Sequence, residues 1–528
     1  MKNSIYLLLI SLILNGCAPV SFIGSPIREI NQDLFKKENL SETNLQKWHL
    51  LDLEMDSVPG MSVERAYREL IKDKKGENII VAIVDSGVDI EHPALENRIW
   101  TNENEIPNNN IDDDGNGYID DIHGWNFLGE GDQENLEYIR ILKKEKVGSS
   151  RYKKLDKRRQ NDLKKAKEQM EQISFILEKI PQTDSILSAA TEKTDFTIEN
   201  VKALPSKSIE VMEAMRFISF LTENGLNKSK LEKYKKSLLS EVEAYYNLDF
   251  DGRKIVGDDP DDFNDQFYGN NNVIGPNKDS ADHGTHVSGL VGAEKVNNHA
   301  SHGVAENVKI MVLRAVPDGD EYDKDIALAI RYAVDNGAKI INSSFGKGFS
   351  PHQDWVTDAL IHAAKNDVLV VNAAGNDGND IDSSSSPTFM TDTVDGKEVV
   401  DNFITVGAST RSFNSEQVAS FSNVGMQNVD VFAPGEEISS TVPFGIYEAF
   451  DGTSMAAPNV SGVAAVLRSF YPKYPAKKIK SIIINSGIPL HNPIKNPESG
   501  KLVNANKLSK SGKLVNLYNA LLHASSKK

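Results

Sequence analysis

This chain of 528 residues contains a single cysteine, Cys17, so no disulfide can form within it. It is also short of positive charge: the formal net charge is −17, which disfavours nucleic acid and anionic lipid as partners. Beyond Cys17 there is no apolar run long enough to span a bilayer. The chain is long enough to form one large hydrophobic core with further segments attached to it, and this core must be stable without disulfides.

The one long apolar run stands at the N-terminus. Lys2 is followed by the run from Ile5 to Leu14 and then by Asn15-Gly16-Cys17, the layout of a short signal peptide and not of a spanning helix. Leu14 to Cys17 resembles a bacterial lipobox, which implies that Cys17 carries a lipid and begins the mature chain. We therefore expect a lipoprotein signal peptide (1–16) and a partly flexible tether (17–40) that anchors the protein on the outer face of a bacterial membrane. The alternative is an ordinary secretory signal with a cysteine near its cleavage site.

Four short motifs carry the chemistry. A serine hydroxyl is a poor nucleophile at neutral pH, so it needs an imidazole to take its proton and a carboxylate to hold that imidazole in the right tautomer. Ser454, His283 and Asp85 fit these roles. The Asn376 amide and the Ser454 backbone N–H fit an oxyanion hole. In chain order the motifs are Val84-Asp85-Ser86-Gly87, His283-Gly284-Thr285-His286, Ala373-Ala374-Gly375-Asn376 and Gly452-Thr453-Ser454-Met455-Ala456.

The motifs around Asp85, His283 and Ser454, in that order, resemble the three signatures of the subtilase (subtilisin-like) family of serine peptidases. The resemblance covers Ile79 to about Ser486 apart from an insert, and it includes the family's Ala-Ala-Gly-Asn oxyanion segment. It implies that His283, and not His286, is catalytic. The serine motif lacks the second glycine of Gly-x-Ser-x-Gly, which argues against an α/β-hydrolase elbow.

Apolar runs of strand length alternate with segments of helical periodicity. Because such strands pair in parallel and are covered on both faces, we predict an α/β fold: a doubly wound, mostly parallel sheet flanked by helices. Sites in such sheets form at the carboxyl ends of strands, where Asp85 and Asn376 lie. Met455 to Phe470 is predicted to be a buried helix that Pro458 interrupts early, with its N-terminal dipole toward the reaction centre. The predicted strands are 79–84, 308–313, 339–343, 368–373 and 403–408, and the predicted helices between them are 323–336 and 354–366.

Substrate binding follows only from the resemblance. It implies that an extended peptide pairs with the segment Ser343 to Gly346, and that Ala373 to Gly375 line the opposite wall of the first specificity pocket. Strand addition uses main-chain hydrogen bonds and so accepts many sequences. We therefore expect a broad endopeptidase that acts on proteins or peptides. The binding residues implied are Ser344, Phe345, Gly346, Ala374 and Gly375.

An acidic loop at residues 110–121 predicts a calcium site, because calcium takes roughly six to eight oxygens and alternate residues of a tight loop can direct them inward. The loop matches the start of an EF-hand, but His123 stands where the bidentate glutamate would be. Many subtilases carry a similar loop followed by Gly-Trp-Asn-Phe, here residues 124–127. The alternative is a solvated acidic turn. The predicted ligands are Asp112, Asp114, Asn116, Tyr118 through its carbonyl, Asp120 and Asp121.

Two other clusters carry weaker signals. The pairs His283/His286 and His299/His302 have a spacing compatible with zinc, but they have neither the glutamate of a His-Glu-x-x-His helix nor a cysteine partner. The acidic tract 258–265 is irregular in spacing, and we expect it to be a solvated loop.

An insert separates Asp85 from His283. It is rich in Lys, Glu and Leu, and its periodicity predicts long amphipathic helices at 153–179 and 211–245 around a break at Pro181. Our hypothesis is that it restricts access to the cleft; the alternative is a surface helical hairpin without a catalytic role. The peptidase domain is then predicted at 41–129 and 247–490, the insert at 130–246 and a short C-terminal extension at 491–528.

The segment before the first strand is short for a removable propeptide. Residues 41–74 are predicted to form helices packed on the core, with Trp48, Leu50, Leu51 and Leu53 as anchors. The sequence thus predicts a calcium-supported, lipid-anchored serine endopeptidase. The alternative is a catalytically silent subtilase-like binding protein at the cell surface.

Overall fold

A computed structural model of the chain describes residues 20–27, 40–205, 208–296, 299–383 and 389–526. The predicted signal peptide and Cys17 lie outside these residues.

A large twisted sheet forms the centre of the molecule. Within the described residues it has nine strands in the order β12-β15-β9-β8-β5-β4-β1-β3-β2, and all neighbours are parallel except β12 and β15. The strands are β1 (Ile79–Asp85), β2 (Gly124–Asn126), β3 (Val308–Arg314), β4 (Ile340–Ser343), β5 (Leu369–Ala373), β6 (Thr393–Val394), β7 (Lys397–Glu398), β8 (Phe403–Ser409), β9 (Val431–Pro434), β10 (Ile438–Val442), β11 (Ile446–Phe450), β12 (Ile488–Pro489), β13 (Ile494–Lys495), β14 (Leu502–Val503) and β15 (Lys513–Leu514).

The central strands are apolar on both faces, as a doubly covered sheet requires. In β1 the side chains of Val81 and Ile83 enter the core on one face, and those of Ala82 and Val84 enter the core on the other. All five predicted strands are present, so the predicted parallel α/β sheet is confirmed.

Helices cover both faces. α9, α12, α13 and α14 contribute to the core on one face, and α10 and α11 to the core on the other. The helices are α1 (Glu42–Leu45), α2 (Leu53–Asp56), α3 (Val63–Ala66), α4 (Glu137–Lys144), α5 (Ser150–Thr191), α6 (Ile198–Lys202), α7 (Ile209–Glu223), α8 (Lys228–Ser240), α9 (Asp282–Gly292), α10 (Asp323–Asp335), α11 (Gln353–Lys365), α12 (Thr453–Phe470), α13 (Ala476–Ser486) and α14 (Leu517–Ser526).

The predicted interruption at Pro458 is wrong, because α12 continues through it. Proline lacks an N–H, so Pro458 leaves the carbonyl of Ser454 without its helical donor. The hydroxyl of Ser344 donates to that carbonyl instead, at 2.9 Å. The helix therefore loses one internal hydrogen bond, but the Ser454 carbonyl still has a donor.

The predicted break at Pro181 is also wrong. α5 is one helix of 42 residues, about 63 Å long at about 1.5 Å per residue, with Pro181 inside it. Ile180 is buried against Leu221 and Leu231, and Leu187 is buried against Val201 and Ala214. Apolar packing on both sides of the proline holds the helix continuous, at a local cost of about 3 kcal/mol.

The helical insert consists of α4 to α8. The predicted helix 211–245 is divided in two by a turn between α7 and α8.

The segment before the first strand is anchored as predicted. Its almost completely buried side chains are those of Trp48, Leu50, Leu51 and Leu53.

Two described segments near the ends of the chain are packed on the core. In residues 20–27, Phe22 packs on Phe470 with ring centroids 5.5 Å apart, and the Ile27 N–H donates to Asn519 at 2.9 Å. Near the C-terminus, β15 joins the main sheet through pairing of Leu514 with Phe432. Both of these described segments are therefore part of the packed fold.

Candidate active site

Asp85 and His283 are brought together by two elements that are far apart in sequence. Asp85 is the last residue of β1, and His283 lies in the first turn of α9. The Asp85 Oδ1 atom lies 2.7 Å from His283 Nδ1 and also accepts the Ser86 N–H at 2.8 Å. The Asp85 side chain is only 2% exposed, whereas that of His283 is 34% exposed. The carboxylate is thus fixed, and the far side of the imidazole can be reached from solvent.

Burial by itself lowers the pKa of His283, but the charge of Asp85 and its hydrogen bond to Nδ1 outweigh burial, with a contribution from Asp282. The pKa of His283 is therefore raised above its usual value. With Nδ1 donating to Asp85, the neutral ring presents Nε2 as a proton acceptor.

Ser454 is the second residue of α12, where the free backbone N–H groups and the helix dipole favour negative charge. Its hydroxyl donates to the backbone carbonyl of Ser344 at 3.1 Å, and the Ser344 hydroxyl donates to the Ser454 carbonyl. The serine is thereby held against the segment that follows β4.

Asn376 is oriented by a residue that the sequence analysis did not single out, Thr453. The Asn376 Oδ1 atom accepts from the Thr453 N–H at 2.8 Å and from its hydroxyl at 2.9 Å. This leaves the amide nitrogen free to point elsewhere. A methyl group placed on Gly452 would lie 3.4 Å from that nitrogen and 3.5 Å from the Ser454 backbone nitrogen. The Asn376 amide nitrogen and the Ser454 backbone nitrogen therefore border one small space, which a Cβ atom at position 452 would occupy.

One predicted wall of the specificity pocket contacts Ser454, and the other contacts the residue before it. Ser344 exchanges hydrogen bonds with Ser454, and the Gly375 N–H donates to the Thr453 hydroxyl at 3.0 Å. Ala374 is held by the buried Asn423, whose amide donates to its carbonyl at 3.0 Å. Neither Thr453 nor Asn423 was assigned from the sequence, although Thr453 lies inside the quoted serine motif.

The segment Ser344 to Gly346 has a free edge. Ser344 is buried, Phe345 half-buried and Gly346 exposed. Among the described residues, no backbone group is hydrogen-bonded to the backbone of Phe345 or Gly346. Such an edge can accept an extended chain.

The acidic loop contributes a compact carboxylate cluster. Oxygens of Glu105, Asp114 and Asp121 lie within 4.8 Å of one another. The amide of Asn102 bridges Asp114 and Asp121 at 2.9 and 2.8 Å. Burial, together with the nearby charge of Asp114, raises the pKa of Asp121 to about 6. Like charges held this close favour binding of a cation.

The cluster differs from the predicted ligand set. The Asp112 carboxylate accepts backbone N–H groups of the loop itself, at residues 115–117, and Asp120 accepts those of residues 109 and 110. The Tyr118 ring is packed among aromatic rings, and the role of its carbonyl oxygen stays a prediction. The Asn116 amide donates to Asp121 at 2.9 Å, beside the cluster. Glu105, which was missed, lies outside the loop whose spacing was compared with an EF-hand.

The other polar clusters have structural partners. His286 is fully buried; burial and the charge of His283 lower its pKa to about 3, and its ring faces the carbonyl of Ile438 at 2.9 Å. The expectation of a solvated loop at 258–265 fails for Asp258, whose buried side chain forms ion pairs with Arg253 at 2.6 Å and Lys324 at 2.7 Å.

Comparison with known proteins decides the family. The family model described as the subtilase family, Peptidase S8, matches residues 76–512. The chain belongs to the subtilase family. It is grouped by this match with the subtilisin-like serine peptidases, whose parallel α/β fold it shares.

Its relatives share only parts of this subtilase. The thermophilic serine proteinase of Bacillus sp. (strain AK1) is 39% identical over 226 residues, which are 43% of this chain and 49% of that protein. Subtilisin DY of Bacillus licheniformis is 35% identical over 206 residues, 39% of this chain and 70% of that protein. The matched region thus spans about half the length of the first relative. A solved structure, that of the prenylagaramide maturation protease PagA, aligns with a TM-score of 0.38 and 28% identity over 47% of this chain and 83% of that one.

In the part of the subtilase that the structure describes, no helix combines the length and apolar character needed to cross a membrane.

Proposed function

We propose that this subtilase is a serine endopeptidase in which Ser454 is the nucleophile, His283 the general base and Asp85 the group that orients His283. The observation that carries the proposal is the 2.7 Å contact between Asp85 Oδ1 and His283 Nδ1. Ser454, at the N-terminus of α12, supplies the third residue type that peptide hydrolysis through an acyl-enzyme requires.

In the proposed mechanism, His283 Nε2 takes the proton of the Ser454 hydroxyl as the oxygen attacks the substrate carbonyl. The hydroxyl must first leave the Ser344 carbonyl, its present acceptor. His283, now protonated and held by Asp85, gives the proton to the leaving amine, and the acyl group stays on Ser454. Water, activated by the same imidazole, then releases the acid and restores the hydroxyl.

The oxyanion formed in the attack would lie in the space beside Gly452. The Asn376 amide nitrogen and the Ser454 backbone N–H both border that space and are its proposed donors. Fixed donors of this kind cost no reorganisation when charge develops, which is why they contribute strongly to catalysis. An extended peptide would pair with Ser344, Phe345 and Gly346, with Ala374 and Gly375 on the opposite wall, so we expect broad specificity.

We also propose that calcium binds the carboxylate cluster. Glu105, Asp114 and Asp121 supply hard oxygen donors that repel one another without a cation, and this donor set fits Ca²⁺. The Asn116 side chain is the neighbouring neutral candidate. Bound calcium would tie the loop to the preceding segment at Glu105 and so support the fold rather than take part in the reaction.

Export and lipid attachment at Cys17 remain proposals based on the lipobox-like sequence. In this proposal the lipid binds the protein to a membrane. Because the protein is exported, its substrates are proteins or peptides outside the cytoplasm. Growth with an alkyne-tagged fatty acid tests this: the wild type should carry the tag and sediment with membranes, and Cys17→Ala should do neither. A tagged Cys17→Ala variant would contradict attachment at this residue.

The catalytic proposal is tested by labelling the purified protein with a fluorophosphonate, which reacts with activated serines. The wild type and a control, Ser499→Ala at an exposed loop serine, should be labelled, and Ser454→Ala should not. An unlabelled wild type that is folded by circular dichroism would overturn the proposal and favour the binding-protein alternative.

A further inference from the structure

Lys347 is a buried lysine that directly follows the segment proposed to bind substrate. Gly346 is exposed, whereas the side chain of Lys347 is fully buried. Burial of an ammonium group is costly unless its N–H groups find strong acceptors. The partners of Lys347 therefore indicate what this residue does.

The Lys347 ammonium has three oxygen partners. It donates to Glu137 Oε2 at 3.1 Å and to the carbonyl oxygen of Glu321 at 2.7 Å, and it forms an ion pair with Asp323 Oδ1 at 2.9 Å. Because one partner belongs to α4 and the other two lie at or just before the start of α10, the lysine joins these two parts of the protein.

Glu137 belongs to α4, the first helix of the insert, and is itself held in place. Arg140, one turn further along α4, forms a buried ion pair with it. Arg140 also donates to the carbonyl of Asp320 at 2.7 Å and to that of Glu321 at 3.0 Å. The insert is thus tied by buried charges to the peptidase core next to the cleft.

Lys347 transmits this attachment to the substrate segment in two ways. Its backbone continues from Gly346, so a shift of the lysine moves the edge that would pair with substrate. Its Nζ atom also stands 5.0 Å from the centre of the Phe389 ring, which packs against Phe345 with centroids 6.3 Å apart.

We propose that Glu137 of the insert is a positioning residue for substrate binding: through Lys347 it holds the backbone edge at Phe345 and Gly346 in register for an extended peptide. The insert is then part of the binding machinery and not only a cover. This inference rests on the proposed peptidase function.

The test compares Glu137→Gln with the matched control Glu168→Gln, which makes the same change at an exposed position of α5. Two quantities are measured on the full chain: kcat and KM for a peptide amide long enough to pair with the edge, and the rate of Ser454 labelling by a small fluorophosphonate. Glu137→Gln should raise KM about tenfold and leave kcat and the labelling rate within about twofold, the pattern of lost binding outside the reacting groups. The control should change none of them.

A second variant separates positioning from folding, because a lone buried charge can destabilise the protein. Glu137→Gln/Lys347→Met removes both charges and should show the same rise in KM at a thermal midpoint closer to wild type. An unchanged KM in the folded variants, or a labelling rate that falls as much as kcat/KM does, would overturn the inference while leaving the proposed function intact. A wild type that is not labelled would overturn both.

Discussion

Ser344 and Ser454 are joined by two reciprocal hydrogen bonds: each hydroxyl donates to the backbone carbonyl of the other residue, at 2.9 Å from Ser344 and 3.1 Å from Ser454. One bond replaces the helical hydrogen bond that Pro458 removes. The other orients the proposed nucleophile. A single residue at the end of β4 therefore serves the stability of α12 and the resting position of Ser454.

Ser344→Ala should lower the free energy of unfolding by about 1–3 kcal/mol, because the Ser454 carbonyl loses its donor. Pro458→Ala restores an N–H at the position that can reach the same carbonyl. The double variant should therefore be destabilised by less than the sum of the two single changes, as measured by urea unfolding.

The control for this cycle is Ser343→Ala. The Ser343 hydroxyl is buried and has no hydrogen-bond partner among the described residues, so its removal should cost no stability. Strict additivity of Ser344→Ala and Pro458→Ala would contradict the replacement of the helical bond by the Ser344 hydroxyl.

The pH dependence of kcat/KM should report His283. The general base must be neutral, so activity is lost as pH falls through its pKa, and Asp85 raises that pKa above the ordinary 6.5. The acid limb should accordingly have its midpoint above 6.5, measured with a peptide substrate from about pH 5 to about pH 9. A midpoint at or below 6.5 would contradict the electrostatic role of Asp85.

Asp85→Asn should lower kcat by about 10⁴-fold with little change in KM, because the amide no longer holds His283 in the tautomer that leaves Nε2 free. It should also move the acid limb of the residual activity to lower pH, since the charge that raises the His283 pKa is gone. Circular dichroism establishes that the variant is folded. A loss of less than about tenfold would show that another residue orients His283.

Calcium should stabilise the wild type by about 2.7 kcal/mol at a free concentration one hundred times its Kd, and chelation should remove that gain. Asp121→Asn and Glu105→Gln should abolish the calcium-dependent rise in thermal midpoint. Asp184→Asn, at an exposed position on α5, should keep it. A full calcium response in Glu105→Gln, together with its loss in Asp112→Asn, would favour the EF-hand-like ligand set.

Lys233 on α8 connects the insert to β11 of the peptidase domain. Its Nζ atom lies 2.6 Å from a carboxylate oxygen of Glu448 in β11, six residues before Ser454, and its charge also acts on Asp282 beside His283. Lys233→Ala should increase cleavage of a folded protein by up to about fivefold, the most that an exposed ion pair of about 1 kcal/mol can restrain. Cleavage of a short peptide should stay unchanged.

Lys235→Ala, an exposed lysine on the same helix, is the matched control and should alter neither rate. If Lys233→Ala raises both rates equally, the insert does not discriminate between folded proteins and peptides, and our hypothesis of restricted access fails.

The successes and failures of the sequence analysis have different physical origins. The strands were predicted because each is a continuous apolar run of strand length, a pattern carried by neighbours in sequence. In the structure, Val81 and Ile83 of one such run enter one core, and Ala82 and Val84 enter the other. The breaks at proline were wrong because the propensity of one residue was outweighed by packing and by a distant hydroxyl.

The metal ligands stay a prediction, and they too were assigned from local spacing alone. Alternating acidic residues were assigned inward positions from a loop template, yet the Asp112 carboxylate instead closes its own loop through backbone N–H groups. Glu105 could not be found in this way, because its approach to Asp114 and Asp121 depends on the path of the chain before the loop.

By itself, the sequence determined which chemical groups the protein carries. It also determined the spacing of the buried positions, and hence the parallel sheet whose strand ends carry Asp85 and Asn376. Only the tertiary structure decided which groups meet: Asp85 with His283 across 198 residues, Ser344 with Ser454 across 110, and Glu137 with Lys347 across 210. Periodicity is a local property that repeats and can be read along the chain. A hydrogen bond or ion pair is a single directional contact, and its partner is set by how distant segments pack.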